Sequence, residues 1–306
     1  MTDPRVLVVG EALVDVVHAA DGTVTEHVGG SPANVAAGLA RLGHHVTLAT
    51  HTGDDERGRR VTSYLQERGV RLATGPTAER TTTATAHLDP TGAASYEFDL
   101  TWELPPLGLE GVDHLHTGSL AATVEPGGTR VLDLLVRARE TVTVSYDPNV
   151  RPAVMGDPHG VRSRIEECIG RADVVKASAE DIDWLYAGAP VAEVAHLWGR
   201  LGPGLVVVTR GPDGALVHLS GEDSERELPA VPVPVVDTVG AGDSFMAGLL
   251  SGLLDAGLLG RPDARRRLAR AGQDDVRPAV ERGLAAAAWT VQRAGAAAPT
   301  RDDLAR

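Results

Sequence analysis

Short valine-rich runs alternate with helical stretches along most of the chain, and this alternation constrains the fold more than any other feature. Apolar runs of this length are typical of buried strands, and strands separated by helices form parallel sheets. The sequence therefore predicts an α/β fold, with a mostly parallel central sheet sandwiched by helices. The predicted strands are 5–10, 46–50, 142–146, 173–176 and 205–209, and the stretches between them include predicted helices at 131–138 and 161–169.

Two regions, about 12–28 and 81–101, break this alternation. The second contains the turn signal Asp89-Pro90-Thr91-Gly92. We predict that both regions form antiparallel strands of a small sheet, which acts as a lid over the ligand edge of the central sheet; an edge extension without such a role is the alternative. Tyr96, Phe98 and Trp102 either line the pocket under this sheet or form its own core. We expect one domain over 1–306.

The charge balance excludes several partners. The formal net charge is -13, and no basic cluster is longer than Arg265-Arg266-Arg267. Nucleic acids and anionic membranes would be repelled over most of such a surface. The chain has one cysteine, Cys168, so an intramolecular disulfide is impossible. Without a signal-peptide pattern or a long apolar span, we expect a cytoplasmic protein.

A glycine turn at 240–243 is the most informative local motif. Val239-Gly240-Ala241-Gly242-Asp243 lies between an extended stretch and an apolar helical stripe that starts at Phe245, which places Asp243 in the first turn of a helix. The free amides of a helix start attract anions, and the glycines allow close approach of a phosphate. A carboxylate there is suited to accept a proton from an alcohol during phosphoryl transfer. The alternative is a helix cap and a tight connection without chemistry.

A second glycine-led helix start lies at 29–43. Ser31 is the predicted cap, Pro32 the first helical residue, and Gly43 follows the helix end. Asn34 lies in the first turn, where its amide group and Asp15 are suited to clamp a polyhydroxyl ligand. A local capping or packing role for Asn34 is the alternative.

The remaining sequence features give less information about function. The P-loop pattern GxxxxGK[ST] and the GxGxxG spacing are absent, and Lys176 is the only lysine. His114 and His116 share one face of a predicted strand, but no third histidine or cysteine close in sequence completes a metal site. Near the carboxy terminus, 283–293 is a predicted helix that ends at Gly295.

Both glycine motifs resemble the two signatures of the ribokinase-like, or PfkB, carbohydrate kinases, and the segments 10–15, 29–43 and 147–152 are similar to the fructokinase branch. The resemblance implies a β lid over the sugar, with ATP on the carboxy-terminal side of the sheet. It also implies Asp243 as base, with the amides of Gly240, Ala241 and Gly242 as an anion hole. The implied sugar ligands are Asp15, Gly29, Gly30, Asn34 and Arg151. The implied nucleotide contacts are Lys176, Ser178, Thr209, Gly211, Gly240 and Gly242.

The resemblance further implies Mg²⁺ with ATP, and K⁺ as used by relatives. Asp181 is the implied magnesium residue, and Asp237 with the backbone of Val239 the implied potassium ligands. The family's Asn-x-x-Glu element is replaced here by Ser178-Ala179-Glu180-Asp181, which leaves the roles of Ser178 and Asp181 open.

The expected reaction is phosphoryl transfer from ATP to a primary hydroxyl of fructose, giving fructose 6-phosphate. Alternative acceptors are 2-keto-3-deoxygluconate, ribose and a nucleoside. A sugar-binding protein that kept the fold without chemistry is a rival from another class, and a dinucleotide-dependent oxidoreductase is disfavoured by the missing glycine spacing. Exposed strand edges of the small sheet suggest a homodimer.

Overall fold

A nine-stranded sheet forms the centre of the molecule in the computed structural model, which describes residues 3–88, 94–222 and 225–305. Its strand order is β13-β12-β11-β10-β9-β8-β1-β4-β5, and all neighbouring strands from β11 to β5 are parallel. Only the pairs β11–β12 and β12–β13 are antiparallel. This confirms the predicted mostly parallel sheet. The strands are β1 (Arg5–Val9), β2 (Leu13–His18), β3 (Val24–Gly29), β4 (His45–Ala49), β5 (Arg71–Leu72), β6 (Thr83–Leu88), β7 (Ala94–Asp99), β8 (His114–Gly118), β9 (Thr143–Asp147), β10 (Val174–Ser178), β11 (Leu205–Thr209), β12 (Ala215–Leu219) and β13 (Arg226–Leu228).

Helices cover both faces of this sheet. In the buried strand β1, Val6 and Val8 pack into one core while Leu7 and Val9 pack into the other, which is why the strand reads as a continuous apolar run. Cys168 is fully buried in the second core. The helices are α1 (Ser31–Arg41), α2 (Glu56–Glu67), α3 (Gly127–Thr141), α4 (Pro152–Met155), α5 (Pro158–Ile169), α6 (Ala179–Tyr186), α7 (Val191–Leu201), α8 (Ala241–Asp255), α9 (Ala264–Leu268), α10 (Gln273–Val291) and α11 (Arg301–Leu304).

A four-stranded sheet in the order β3-β2-β6-β7 occupies the two regions that break the alternation. The prediction of purely antiparallel strands was wrong in one respect. The pairs β2–β3 and β6–β7 are antiparallel, but β2 and β6 are parallel, because the chain returns to this sheet only after β4, α2 and β5. The turn signal Asp89–Gly92 lies outside the described residues. Trp102 is buried in the central core, where its indole donates to the Ala121 carbonyl at 2.9 Å. It also lines a small cavity together with Glu11 and Thr82.

Helix α8 is buried on all sides between α1 and α10. Cβ atoms at Gly248 and Gly252 would lie 2.7 Å from the Arg282 carbonyl oxygen and 2.5 Å from Ala279 Cα, so these glycines let α10 pack closely. The prediction of a single apolar stripe therefore understated the burial of α8.

Helix α10 begins at Gln273, ten residues before the predicted start at 283, and ends at Val291. It includes Pro278 in its interior, which the sequence rules would place at a helix boundary. The buried residues Val276, Ala279 and Val280 pack α10 into the core, and this burial offsets the cost of the proline. None of the helices in the described residues is long and apolar enough to cross a membrane.

Candidate active site

The predicted site residues gather at the carboxyl edge of the central sheet. Asp147, Ser178 and Thr209 are the last residues of β9, β10 and β11, and Glu11 follows β1. Helices α1 and α8 also begin at this edge. Because the strands are parallel, one edge of the sheet collects the loops that follow them, and this is where ligands bind in open α/β folds.

Asp243 lies at the third position of α8 and is 7% exposed. Its Oδ1 accepts a hydrogen bond from the Ser31 hydroxyl at 2.6 Å, and its Oδ2 accepts one from Asn34 Nδ2 at 2.8 Å. Both donors lie in the first turn of α1. The two helix starts thus meet at one carboxylate, and the first-turn position predicted for Asp243 is confirmed.

Ser31 was predicted as the cap of α1, and that prediction is wrong. The cap is Gly30, whose φ is 101° and which makes no side-chain cap hydrogen bond, while Ser31 is the first helical residue. Its hydroxyl instead donates a hydrogen bond to Asp243, which lies 212 positions farther along the chain. The local sequence pattern fits a cap, and only the tertiary contact reveals the other role.

Lys176 and Asp147 form a buried ion pair behind the start of α8. Lys176 Nζ donates to Asp147 Oδ2 at 2.8 Å, and the side chains are 3% and 1% exposed. Burial raises the pKa of Asp147 to about 6 even with the ammonium group beside it. Burial acts to lower the pKa of Lys176, but the Asp147, Asp181 and Asp243 carboxylates together raise it. The only lysine of the chain is therefore a cation shared by three acids.

The same ammonium group adjoins the glycine turn. A Cβ atom at Gly242 would lie 3.2 Å from Lys176 Nζ. Lys176 therefore adds positive potential to the amides at the start of α8, where the sequence predicted a phosphate cradle.

Gly240 has a φ of 75°, and a Cβ atom on it would lie 2.5 Å from Ala296 Cβ, so a side chain here would be both strained and crowded. The Ala241 amide donates to the Thr238 carbonyl at 3.2 Å. To bind an anion, that amide would have to leave this carbonyl.

Asp237 fixes the turn from its other side. It accepts from the amides of Val239 at 3.0 Å and Gly295 at 2.8 Å, and these two bonds lower its pKa. Its carboxylate therefore orders the loop before α8 and ties it to the chain that follows α10.

The small sheet supplies Asp15 to the site. Burial raises the pKa of Asp15 against the opposing charges of His27 and Arg151, and the Asp243 carboxylate raises it further. Gly29 gives room to this side chain, because a Cβ atom there would overlap Asp15 Oδ2. Arg151 and Asp243 therefore both lie close enough to Asp15 to act on its carboxylate electrostatically.

Gly30 caps α1 and Asn34 lies in its first turn, the positions for which the sequence predicted contacts with a polar ligand. Asn34 Oδ1 is buried and has no hydrogen-bond partner within the described residues, so this acceptor is available to a hydroxyl donor. A Cβ atom at Gly30 would lie 2.5 Å from the Glu11 carbonyl oxygen, which explains a glycine at this turn. Arg151 is exposed and donates from Nη1 to Asn149 Oδ1 at 2.7 Å.

Glu11 is a site residue that sequence reasoning missed. It is 6% exposed, and its Oε2 accepts from the Ala121 amide at 3.2 Å. Burial raises the pKa of Glu11 to about 7, although hydrogen bonds and the nearby Arg151 act to lower it. A charged residue directly after a buried strand was the available signal, because such a residue lies at the ligand edge of a parallel sheet.

Ser178 and Asp181 form a capping box at the start of α6. Asp181 Oδ2 accepts from the Ser178 amide at 2.8 Å, its Oδ1 accepts from the Val150 amide at 2.8 Å, and Ser178 Oγ accepts from the Asp181 amide at 3.0 Å. Both oxygens of Asp181 are thus occupied by backbone donors. Thr209 and Gly211 lie one strand farther along the edge, where Thr209 Oγ1 donates to the Ala177 carbonyl at 3.3 Å.

A carboxylate between a helix-start anion site and a cluster of polar side chains is an arrangement for moving a phosphoryl group onto a hydroxyl. The fold and the site together define a phosphotransferase with an alcohol acceptor. The chain belongs to the pfkB family of carbohydrate kinases, whose family model matches residues 3–303.

Relatives with known structures and activities agree with this assignment. A fructokinase from Klebsiella pneumoniae is 35% identical over 315 residues, which cover 99% of this chain and 98% of the relative. The ATP-bound fructokinase from Xylella fastidiosa is 25% identical, with a TM-score of 0.87 over 99% of this chain and 98% of that one. A double mutant of the fructokinase from Vibrio cholerae O395, with fructose, ADP and potassium bound, is 27% identical, with a TM-score of 0.82 over 100% of this chain and 99% of that one.

Proposed function

We propose that this protein transfers the γ-phosphoryl group of ATP to the primary hydroxyl of fructose, giving fructose 6-phosphate and ADP. One observation carries the proposal. The Asp243 carboxylate is buried in the first turn of α8, is oriented by Ser31 and Asn34, and faces the same space as Asp15 of the small sheet. The fructokinase relatives supply the identity of the sugar.

In the proposed reaction, the sugar hydroxyl attacks the γ-phosphorus while its proton passes to Asp243. The bond between the γ-phosphorus and the β–γ bridging oxygen breaks, and ADP leaves. Asp15, Asn34 and Arg151 hold the sugar, with Gly29 and Gly30 allowing its approach. The hydrogen bonds from Ser31 and Asn34 fix the orientation of the base, so that catalysis is mainly positioning and electrostatic stabilisation.

The amides of Gly240, Ala241 and Gly242 and the Lys176 ammonium group would stabilise the negative charge on the transferring phosphoryl group. Thr209 and Gly211, at and just after the carboxyl end of β11, are the proposed nucleotide contacts, with Ser178 beside them on β10. Val235, Val236 and Val239 are 64%, 66% and 54% exposed. An exposed apolar strip beside an anion site suits the adenine ring of the same nucleotide.

Magnesium neutralises phosphate charge when it is bound with ATP. Of the nearby acids, Asp181 has both oxygens occupied by backbone amides. Asp147 Oδ1, by contrast, is buried without a hydrogen-bond partner in the described residues, and it fits a water molecule of a hydrated ion. We therefore propose Asp147, rather than the predicted Asp181, as the residue of this edge that meets the hydrated ion.

Asp237 and the backbone of Val239 are the proposed K⁺ ligands. The test is the rate of ADP release in KCl, NaCl and tetramethylammonium chloride at equal ionic strength. Equal rates in the three salts would exclude a potassium requirement.

The function is tested by coupled ADP release with Mg-ATP, offering fructose, 2-keto-3-deoxygluconate, ribose and adenosine separately. We expect a strong preference for fructose. Asp243→Asn should lower kcat about 10²–10⁴-fold, the range for loss of a general base. Equal turnover of all four acceptors would contradict the fructose assignment, and unchanged turnover by Asp243→Asn would contradict the assigned base.

We also propose a cytoplasmic enzyme that dimerises through the small sheet. This sheet ends in two unpaired strands, β3 and β7, among the described residues, and unpaired edges favour pairing with another chain. Sedimentation at micromolar concentration should give the mass of a dimer, and a monomer mass would refute this arrangement.

A further inference from the structure

Three side chains from separate elements converge at the edge of the central sheet opposite the active site. His196 lies on α7, His218 on β12, and Glu225 directly before β13. His218 pairs with Val206, at the opposite end of β11 from Thr209. One potential ligand atom from each of the three residues lies within 4.8 Å of the other two. Two imidazoles and a carboxylate are a typical protein ligand set for Zn²⁺.

The polar atoms of these three side chains lie close together but do not form hydrogen bonds with one another. His218 is 3% exposed, and its Nδ1 has no hydrogen-bond partner in the described residues. His196 Nδ1 lies 2.7 Å from Glu225 Oε1, yet that oxygen accepts no hydrogen bond from any residue that the structure describes. The two imidazole ring centroids are 4.2 Å apart. Buried polar atoms that converge in this way normally require a further partner.

The surroundings favour a neutral imidazole at the centre of this group. Burial lowers the pKa of His218, and His196 lowers it further, while Glu225 opposes the shift and Arg200 adds to it. A neutral ring keeps a lone pair for a metal. Gly199 makes room for the ring, since a Cβ atom there would lie 2.7 Å from His218 Nε2. His196 keeps a side-chain exposure of 35%, which leaves the group accessible to ions in solution.

We propose that His196, His218 and Glu225 bind one Zn²⁺ ion, which ties α7 to the edge strands β12 and β13. Imidazole with carboxylate favours zinc over magnesium or calcium, which prefer oxygen ligands alone. Tetrahedral zinc with ligand bonds of about 2.0–2.2 Å separates its ligands by roughly 3.3 Å. The ligand atoms of the three residues already lie within 4.8 Å of one another, close to that separation. A water molecule would complete the coordination.

The test is titration of the chelator-treated full chain with ZnCl₂, followed by calorimetry, and with CoCl₂, followed by visible absorption. We expect one zinc ion per chain and the d–d bands of tetrahedral cobalt. His196→Gln and Glu225→Gln should each weaken zinc binding at least about tenfold, as loss of a metal-site residue commonly does. His159→Gln removes an exposed histidine outside the group and is the matched control. Both test positions are partly exposed, so circular dichroism should show both variants folded.

A second readout separates a bound metal from a simple ion pair. Saturating zinc should raise the melting temperature of the native chain and of His159→Gln, but not that of the double variant His196→Gln/Glu225→Gln, because only a ligand that binds the folded state stabilises it. Zinc bound equally well by the double variant would place the ion elsewhere. Either that result or an absence of zinc binding by the native chain would overturn the proposal.

Discussion

Replacing Lys176 by methionine should strongly destabilise the protein. The substitution keeps much of the side-chain volume but leaves the Asp147 carboxylate, which is 1% exposed, without its cation at 2.8 Å. Breaking a buried pair from one side costs about 3–5 kcal/mol. At about 2 °C per kcal/mol for a chain of this size, the melting temperature should fall by roughly 6–10 °C.

The loss should depend on pH. Burial already raises the pKa of Asp147 to about 6 in the native protein, and removal of Lys176 raises it further. A carboxyl group whose folded-state pKa is raised binds more protons when folded than when unfolded, so its contribution to stability is lost as pH rises. The difference in melting temperature between native and Lys176→Met should therefore be larger at pH 8 than at pH 5.

The assay is thermal unfolding followed by circular dichroism across this pH range. The control is the double variant Lys176→Met/Asp147→Asn, in which no charge of the pair remains. It should recover more than half of the lost melting temperature, because a neutral pair escapes the cost of an isolated buried charge. If Lys176→Met melted within about 2 °C of the native protein at pH 8, or if the double variant were no more stable than the single one, the reasoning would be refuted.

Three other substitutions test the site. Ser31→Ala removes the hydrogen bond to the Asp243 carboxylate and should lower kcat about tenfold with little change in KM for the sugar, measured by coupled ADP release; an unchanged kcat would mean that Ser31 does not orient the base. Gly240→Ala places a side chain at a φ of 75° against Ala296 and should cost about 2–4 kcal/mol, seen in urea unfolding; native-like stability would contradict this. Burial raises the pKa of Glu11 to about 7, so the contribution of its protonated carboxyl group to the stability of the folded protein is lost as pH rises towards and through neutrality. Glu11→Gln should therefore show a smaller fall in melting temperature between pH 5 and 8 than the native protein, and parallel melting-temperature curves for the two proteins would contradict this reasoning.

Local motifs allowed the central features to be predicted from the sequence. The glycines and the apolar stripe after Phe245 lie within one continuous stretch, so the turn, the helix and the position of Asp243 follow from neighbouring residues. The same is true of the parallel sheet, because buried strands have a distinct composition. Residue roles that depend on distant contacts could not be obtained in this way.

Ser31 and Glu11 are two residues whose roles depend on contacts that their neighbours in sequence do not reveal. The Ser31 hydroxyl belongs to a local cap pattern, but its partner lies 212 positions away. Glu11 acquires its raised pKa only through burial in the folded protein, which outweighs the hydrogen bond from the Ala121 amide. Pro278 is the opposite case: proline disfavours a helix interior, but the packing of α10 on α8 outweighs this local preference. Ser178-Ala179-Glu180-Asp181 did contain a local signal, since serine followed three residues later by an acid is typical of a capping box.

The contact between α1 and α8 also has a consequence for synthesis of the chain. The ribosome completes α1 long before it reaches Asp243, and at about 5–20 residues per second the intervening 212 positions take roughly 10–40 s. Throughout that time the nascent chain exposes apolar surface of α1 that α8 later covers. We expect nascent chains of this length to be bound by chaperones, and catalytic competence to arise only when the last fifth of the message has been translated.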